Sequence, residues 1–364
     1  MAGFSLDKKA LRHSAGHWRL SYAQVHGCSV SKATHLASCP VRLHDNASSF
    51  LPITNTDITM GISHYLKDLG RGKDGARAIS RHAACDLMGQ LLDGSLSDLE
   101  VGAFCVAMRT KGETAEEMAG FLDAVHARLE MLPASTRPLV VLPSYNGARK
   151  LPLLTPLLAL LVAARGLPVL VHGTATEDKR TCTSQDVLAA LDVPAMTVLD
   201  EIMPGQVAFA PTALLLPGLQ RLLDVRRTLG LRNSAHSLVK LMDPLAPVAG
   251  DSLIVGSYTH PEYALSMAAT IALVGSDALL LRGTEGEPVA DARRTPQMDG
   301  YRAGHPERLQ EAQTGALTAL PQLPTAIDAD STAAYIRAVL DGSLPVPEPI
   351  ALQVEHIVQL TEKI

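Results

Sequence analysis

Apolar residues recur at two different periods along the chain, and the change of period divides it. Over residues 61–131 the period is three to four. Ile79, Ala83, Leu87, Met88, Leu91 and Leu92 line up as one stripe, which predicts an amphipathic helix. Ser97-Asp98-Leu99-Glu100 has the form of a capping box, in which a hydroxyl and a carboxylate each accept from the other residue's backbone amide. It stands ahead of Val101, Phe104, Cys105 and Met108, and Lys111-Gly112 closes that helix. Thr114-Ala115-Glu116-Glu117 repeats the signal ahead of Met118, Phe121, Leu122, Val125 and Leu129. Three helices with short links predict a small helical domain over 60–132, with a later contribution expected from about 215–248. Leu132-Pro133-Ala134-Ser135-Thr136-Arg137-Pro138 breaks the pattern and reads as a hinge.

Beyond it, short β-branched runs alternate with helical stretches. Strands are predicted at Leu139–Leu142, Pro168–Val171, Val207–Ala210, Ser252–Gly256 and Ala278–Leu281. Between them lie predicted helices at Leu153–Arg165, Asp186–Leu191, Pro211–Leu229 and Pro261–Val274, and two more close the chain at Ser331–Leu340 and Glu348–Glu362. Such alternation implies a parallel sheet covered on both faces. The expected architecture is α/β: a helical domain followed by a larger α/β domain over 138–364 with a central, mostly parallel sheet.

Residues 1–59 have a different texture. They hold His13, His17, His26, His35 and His44, and no acid separates Asp7 from Asp45. Hydrophobic periodicity is absent. A metal site from His26, Cys28, His35, Cys39 and His44 matches no standard zinc spacing. A basic, serine-containing, acid-poor segment is also the composition of a transit peptide. The favoured expectation is a disordered extension, with the folded protein starting near Met60.

Composition then narrows the function. Hydrophobic residues are 47% and charged residues 19%, which excludes wholesale disorder. Five cysteines without a CxxC read as reduced thiols, and so as a cytoplasmic protein. The most apolar stretch, Leu151–Val171, is interrupted by Pro152, Pro156 and Arg165, so no membrane span is expected. The formal net charge of −5 means that any nucleic-acid role needs local basic patches.

The run Gly102-Ala103-Phe104-Cys105-Val106-Ala107-Met108-Arg109-Thr110-Lys111-Gly112-Glu113-Thr114 resembles the anthranilate phosphoribosyltransferase family, whose signature is shared with related nucleoside phosphorylases. Val225–Arg232 resembles the family's anthranilate-side segment, and Asp243-Pro244-Leu245-Ala246-Pro247 its Gly-Pro-Leu-x-Asn-Pro loop. His172-Gly173 matches the middle of its Lys-His-Gly-Asn-Arg motif, with Asp186-Val187-Leu188 following at the right distance. The resemblance runs from about Met60 to the C-terminus.

The family's catalytic parts do not carry over. Its members hold a sugar donor's pyrophosphate on a Gly-Thr-Gly-Gly-Asp loop, where glycines let backbone amides approach the phosphates. The matching turn here is Pro143-Ser144-Tyr145-Asn146-Gly147-Ala148-Arg149-Lys150, with one glycine and with Tyr145 expected to obstruct close approach. Where the family's Asp-Glu pair holds Mg²⁺, this chain has Pro288 and Val289, with Glu285 and Glu287 nearby but out of register. These departures resemble a divergent YbiB-type branch of the family. That resemblance implies a homodimer that binds nucleic acid with little sequence preference, lacks the transferase activity, and needs no cofactor or metal.

Binding of that kind neutralises phosphates, so cations must cluster. Lys67, Arg71, Lys73, Arg77 and Arg81 are expected to stack in rows on helices. Arg221, Arg226, Arg227, Arg232 and Lys240 form a second group, and Arg293, Arg294 and Arg302 fall in the long loop after Leu281. Arg149, Lys150, Lys179 and Arg180 fall in loops after strands, beside an inherited cleft of Ser144, Asn146, Gly147, His172 and Gly173. Each basic run also has the ordinary reading of a solvated helix face, and His172, His236 and His260 that of packing residues. The expected function is therefore sequence-nonspecific nucleic-acid (DNA) binding. The alternatives are a glycosyl or phosphoribosyl transferase with altered donor or acceptor, and a scaffold that uses the helical domain.

Overall fold

The computed structural model describes residues 61–175, 182–245, 251–317 and 320–364. The expectations for residues 1–59, for Met60 and for Lys179 and Arg180 lie outside them.

The described residues begin with four helices: α1 (Ser63–Leu69), α2 (Arg81–Asp93), α3 (Asp98–Lys111) and α4 (Ala115–His126). Both capping boxes form. Ser97 and Glu100 start α3, and Thr114 and Glu117 start α4. Glu117 does more than cap. Its buried carboxylate also accepts from the Ile79 amide at 3.0 Å and from Lys111 Nζ at 2.5 Å. It thus ties the entry of α2 and the end of α3 to the start of α4. A buried charge is tolerable when its lone pairs are all answered in this way.

The larger part is a seven-stranded sheet in the order β3-β2-β1-β4-β5-β6-β7. The strands are β1 (Leu139–Ser144), β2 (Val169–Gly173), β3 (Val207–Pro211), β4 (Ser252–Tyr258), β5 (Ala278–Arg282), β6 (Met298–Arg302) and β7 (His305–Gln310). The first five are mutually parallel, while β6 and β7 are antiparallel additions at one edge. The hairpin β6–β7 escapes the hydrophobic pattern. Its two-residue turn, Ala303-Gly304, has positive φ at both positions, but alanine replaces the Asn or Asp that would announce such a turn.

Helices cover both faces. They are α5 (Thr155–Ala163), α6 (Ser184–Ala190), α7 (Thr212–Leu215), α8 (Pro217–Leu229), α9 (Ala235–Leu238), α10 (Pro261–Val274), α11 (Ala329–Leu340) and α12 (Glu348–Thr361). The single helix expected over 211–229 is two. Leu216 is extended (φ −158°) because the following Pro217 disfavours helical backbone before it. Strand alternation builds two cores. Val140 and Leu142 of β1 pack into a core with α5, α11 and α12 residues, and Leu139 and Val141 into one shared with the N-terminal helices. No helix among the described residues is long and apolar enough to cross a membrane.

This topology positions the site. The chain leaves β1 toward β2 and β3 on one side and later adds β4 and β5 on the other. Between β1 and β4 the order therefore reverses, and crevices form there beyond the carboxyl ends of parallel strands.

Candidate functional site

Over that reversal lies a cleft of about 670 Å³ between the N-terminal helices and the sheet. Arg109 and Glu113 line it from the end of α3, Arg232 and Lys240 from around α9, Tyr258 from the end of β4 and Tyr263 from α10. Its floor is the loop that joins β1 to α5.

In that loop the backbone amides face inward, and two carboxylates from the turn after β5 accept from them. Glu287 Oε1 takes the amides of Asn146 at 2.6 Å and Gly147 at 2.9 Å. Its Oε2 takes the hydroxyls of Ser144 and Thr155, the latter at 3.2 Å. Glu285 Oε2 takes the Arg149 amide at 2.8 Å and the Leu151 amide at 3.4 Å, and its Oε1 takes the Lys150 amide at 3.1 Å. A ring of N–H groups of this kind suits an anion. Here the anions are side chains of the same chain. The sequence placed these glutamates beside the position of the family's Mg²⁺-binding pair, out of register, and did not reveal their contact with this loop. The available signal was two glutamates flanking a glycine directly after a strand.

The turn is built to deliver them. Gly286 has φ +88°, and a Cβ there would lie 1.8 Å from Asn146 Nδ2. Asn146 Nδ2 in turn donates to the Glu285 carbonyl at 3.0 Å. Lys240 Nζ reaches the Gly286 carbonyl at 2.7 Å and the Ser257 carbonyl at 3.2 Å. Desolvation lowers the Lys240 pKa to about 8, against an upward pull from Glu287.

Tyr145 corrects the expectation drawn for it. Its side chain is buried beneath the loop, where it does not obstruct the amide face. Its hydroxyl accepts from Thr212 at 3.0 Å and sits 2.8 Å from His172 Nδ1. His172 is fully buried, and desolvation depresses its pKa to about 3, with a weaker upward pull from a backbone hydrogen bond at Met242. The imidazole is neutral and belongs to the packing. Gly173 allows the neighbouring strand in, since a Cβ there would lie 1.9 Å from the Ser144 carbonyl oxygen. Ser144, Asn146, Gly147, His172 and Gly173 thus gather at the ends of β1 and β2.

The cations distribute unevenly. The expected rows over 67–81 do not form, because α1 stops at Leu69 and residues 70–80 are not helical. Gly70 closes α1, and Ser80 caps the next helix. Arg71 pairs with Asp68 at 3.3 Å, and Arg81 grips Asp123 at 2.6 and 2.7 Å. Lys67, Lys73 and Arg77 are exposed and make no ion pair among the described residues. Arg221 donates to the Leu92 carbonyl, and Arg227 pairs with Asp224 at 3.5 Å. Arg226 and Arg232 are half-buried, with Arg232 reaching Asn146 Oδ1 at 3.4 Å. Arg293 is bidentate on Asp291, while Arg294 and Arg302 donate to backbone carbonyls. Arg149 and Lys150 are exposed, with their amides turned inward and their side chains free of ion pairs among the described residues.

Comparison with known proteins agrees with this architecture. Residues 63–128 match the helical bundle domain of a glycosyl transferase family. The protein YbiB of Escherichia coli (strain K12) is 38% identical over 303 residues, covering 81% of this chain and 92% of that protein. The anthranilate phosphoribosyltransferase of Methanopyrus kandleri is 29% identical over 296 residues, covering 78% of this chain and 84% of that enzyme. The crystal structure of anthranilate phosphoribosyltransferase from Thermus thermophilus shares the fold, with a TM-score of 0.64 at 23% identity, over 82% of this chain and 89% of that one. The chain belongs to the anthranilate phosphoribosyltransferase-like family.

Proposed function

We propose that this protein binds nucleic acid through the phosphate backbone, without reading bases, as a homodimer, and that it does not transfer a phosphoribosyl group. One observation carries the reading. In the β1–α5 loop the amides that could grip a diphosphate already donate to Glu285 and Glu287, while Arg149 and Lys150 are exposed, Arg149 at the lining of the cleft. The loop thus presents cations outward and keeps its anion-binding amides for itself.

The donor set supports the same conclusion. Magnesium needs carboxylate oxygens left open for it. Those of Glu285 and Glu287 are engaged by amides and hydroxyls, and Pro288 and Val289 offer no oxygen from their side chains. The residues present do not fit the ion.

For the binding surface, Lys67, Lys73 and Arg77 join Arg149 and Lys150 as exposed cations without ion partners among the described residues. Arg81, Arg293, Arg294 and Arg302 are held by internal partners and contribute less. The homodimer is supported by α3, where Leu99 is 83% and Val106 47% exposed and Ala103 lies between them on the same face. A second copy would cover that face and double the cations along one strand of nucleic acid.

Labelled single- and double-stranded oligonucleotides of unrelated sequence test the reading. Similar affinities across sequences are expected. Absence of binding, or discrimination between sequences of equal length, contradicts it. The cleft of about 670 Å³ keeps a second reading alive: a transferase with altered donor or acceptor. Calorimetry with phosphoribosyl pyrophosphate and Mg²⁺ decides that point, since micromolar binding would favour the enzyme.

A further inference from the structure

Lys240 stands among the cations of the cleft but turns its charge to the backbone. Its Nζ donates to the Gly286 carbonyl at 2.7 Å, the Ser257 carbonyl at 3.2 Å and the Ser257 hydroxyl at 3.5 Å. An ammonium has three N–H groups, and these acceptors take all three. The Ser257 hydroxyl donates in turn to the same Gly286 carbonyl at 2.8 Å. Lys240 has a firm base of its own, because Leu238, Val239, Leu241 and Met242 on either side are buried in the core shared with the N-terminal helices.

The carbonyl that Lys240 holds belongs to a turn that needs support. Glu285 and Gly286 have successive positive φ values of +54° and +88°, and a left-handed glutamate is disfavoured on its own. From this turn Glu285 reaches the amides of Arg149, Lys150 and Leu151, and Glu287 those of Asn146 and Gly147. Lys240 therefore stands behind both carboxylates. We propose that Lys240 is a positioning residue, which fixes the Gly286 carbonyl and, through Glu285 and Glu287, the place at which Arg149 and Lys150 are presented to a phosphate backbone. Its effect on binding then passes through those two cations and not through a phosphate contact of its own. The identity of the polyanion rests on the nucleic-acid reading; the hold of Lys240 on the loop does not.

A double-mutant cycle with Lys240→Met and the pair Arg149→Ala with Lys150→Ala tests the proposal, together with amide hydrogen exchange followed by NMR. Lys240→Met is expected to weaken oligonucleotide binding by about fivefold in the wild-type background, and by less than about twofold when Arg149 and Lys150 are already alanine. In the same variant the Arg149, Lys150 and Leu151 amides should exchange about tenfold faster than in the wild-type protein. Combined instead with Lys73→Ala, an exposed cation far from this turn in sequence, Lys240→Met should act additively. Ser257→Ala removes the other donor to the Gly286 carbonyl; it should speed exchange at the same three amides and serves if the methionine variant does not fold. An additive loss in the Arg149 and Lys150 background overturns the proposal, since Lys240 would then act on the ligand by itself. Unchanged exchange at the three amides in a folded variant overturns it as well. Faster exchange in a protein that binds no oligonucleotide at all would uphold the hold on the loop and overturn the nucleic-acid reading instead.

Discussion

The inner and outer halves of the β1–α5 loop are neighbours in sequence and opposites in chemistry. The inner half, Ser144 to Gly147, is buried, and Glu287 accepts from its Ser144 hydroxyl and its Asn146 and Gly147 amides. The outer half, Arg149 to Leu151, shows its cations to water and lends its amides to a half-exposed glutamate. The comparison teaches that an anion site can be filled from within the chain. Once the amides are satisfied internally, the side chains beside them are available for a different anion. A loop of the same shape can then serve a structural purpose on one side and a binding purpose on the other.

If the inner half is structural, removing its carboxylate should be severe. Glu287→Ala strands two buried amides and two hydroxyls, and is expected to cost about 3 kcal/mol or more in denaturant unfolding. A loss below about 1 kcal/mol would erase the distinction between the halves.

The packing beneath the inner half gives a pH signature. His172 has a folded pKa of about 3 against an ordinary value of 6.5. Between these values the unfolded chain binds a proton that the folded chain refuses, so stability falls as pH drops below 6.5. The slope from this group is about 1.4 kcal/mol per pH unit. Denaturation midpoints from pH 7 to 5 should decline less steeply in His172→Gln. Parallel declines in the two proteins would mean that this imidazole is not held neutral.

The outer half should respond in binding and not in folding. Arg149→Ala with Lys150→Ala is expected to weaken oligonucleotides of every sequence alike, by about tenfold at moderate salt. Unchanged affinity would remove the loop from the binding surface. The smallest effect is on stability in Glu285→Ala, with a loss of about 1 kcal/mol or less, because its carboxylate and the amides it leaves regain water. A loss as large as that of Glu287→Ala would make both halves structural.

Much of the fold was legible because its signals are local. Capping at Ser97 and Thr114 and the apolar runs of β1 to β5 depend on nearby residues, and they read correctly. The break at Leu216-Pro217 and the β6–β7 hairpin were missed, one hidden in a long apolar helix pattern and the other in a turn that carries an ordinary alanine. The site was less legible because its decisive contacts are distant. Glu285 and Glu287 meet the loop from more than 130 positions away, and no spacing rule connects them. Counting arginines misleads for the same reason. Arg81, Arg293, Arg294 and Arg302 look equivalent to Arg149 in sequence, but their partners, Asp123, Asp291 and several backbone carbonyls, are set by the fold.

The most direct test of the central claim is the salt dependence of oligonucleotide binding by the wild-type protein and by Arg149→Ala with Lys150→Ala. Phosphate recognition predicts binding at about 50 mM salt, log affinity that falls linearly with log salt, and a slope shallower by up to about two in the double variant. No binding at that salt, or an affinity indifferent to salt, would contradict it.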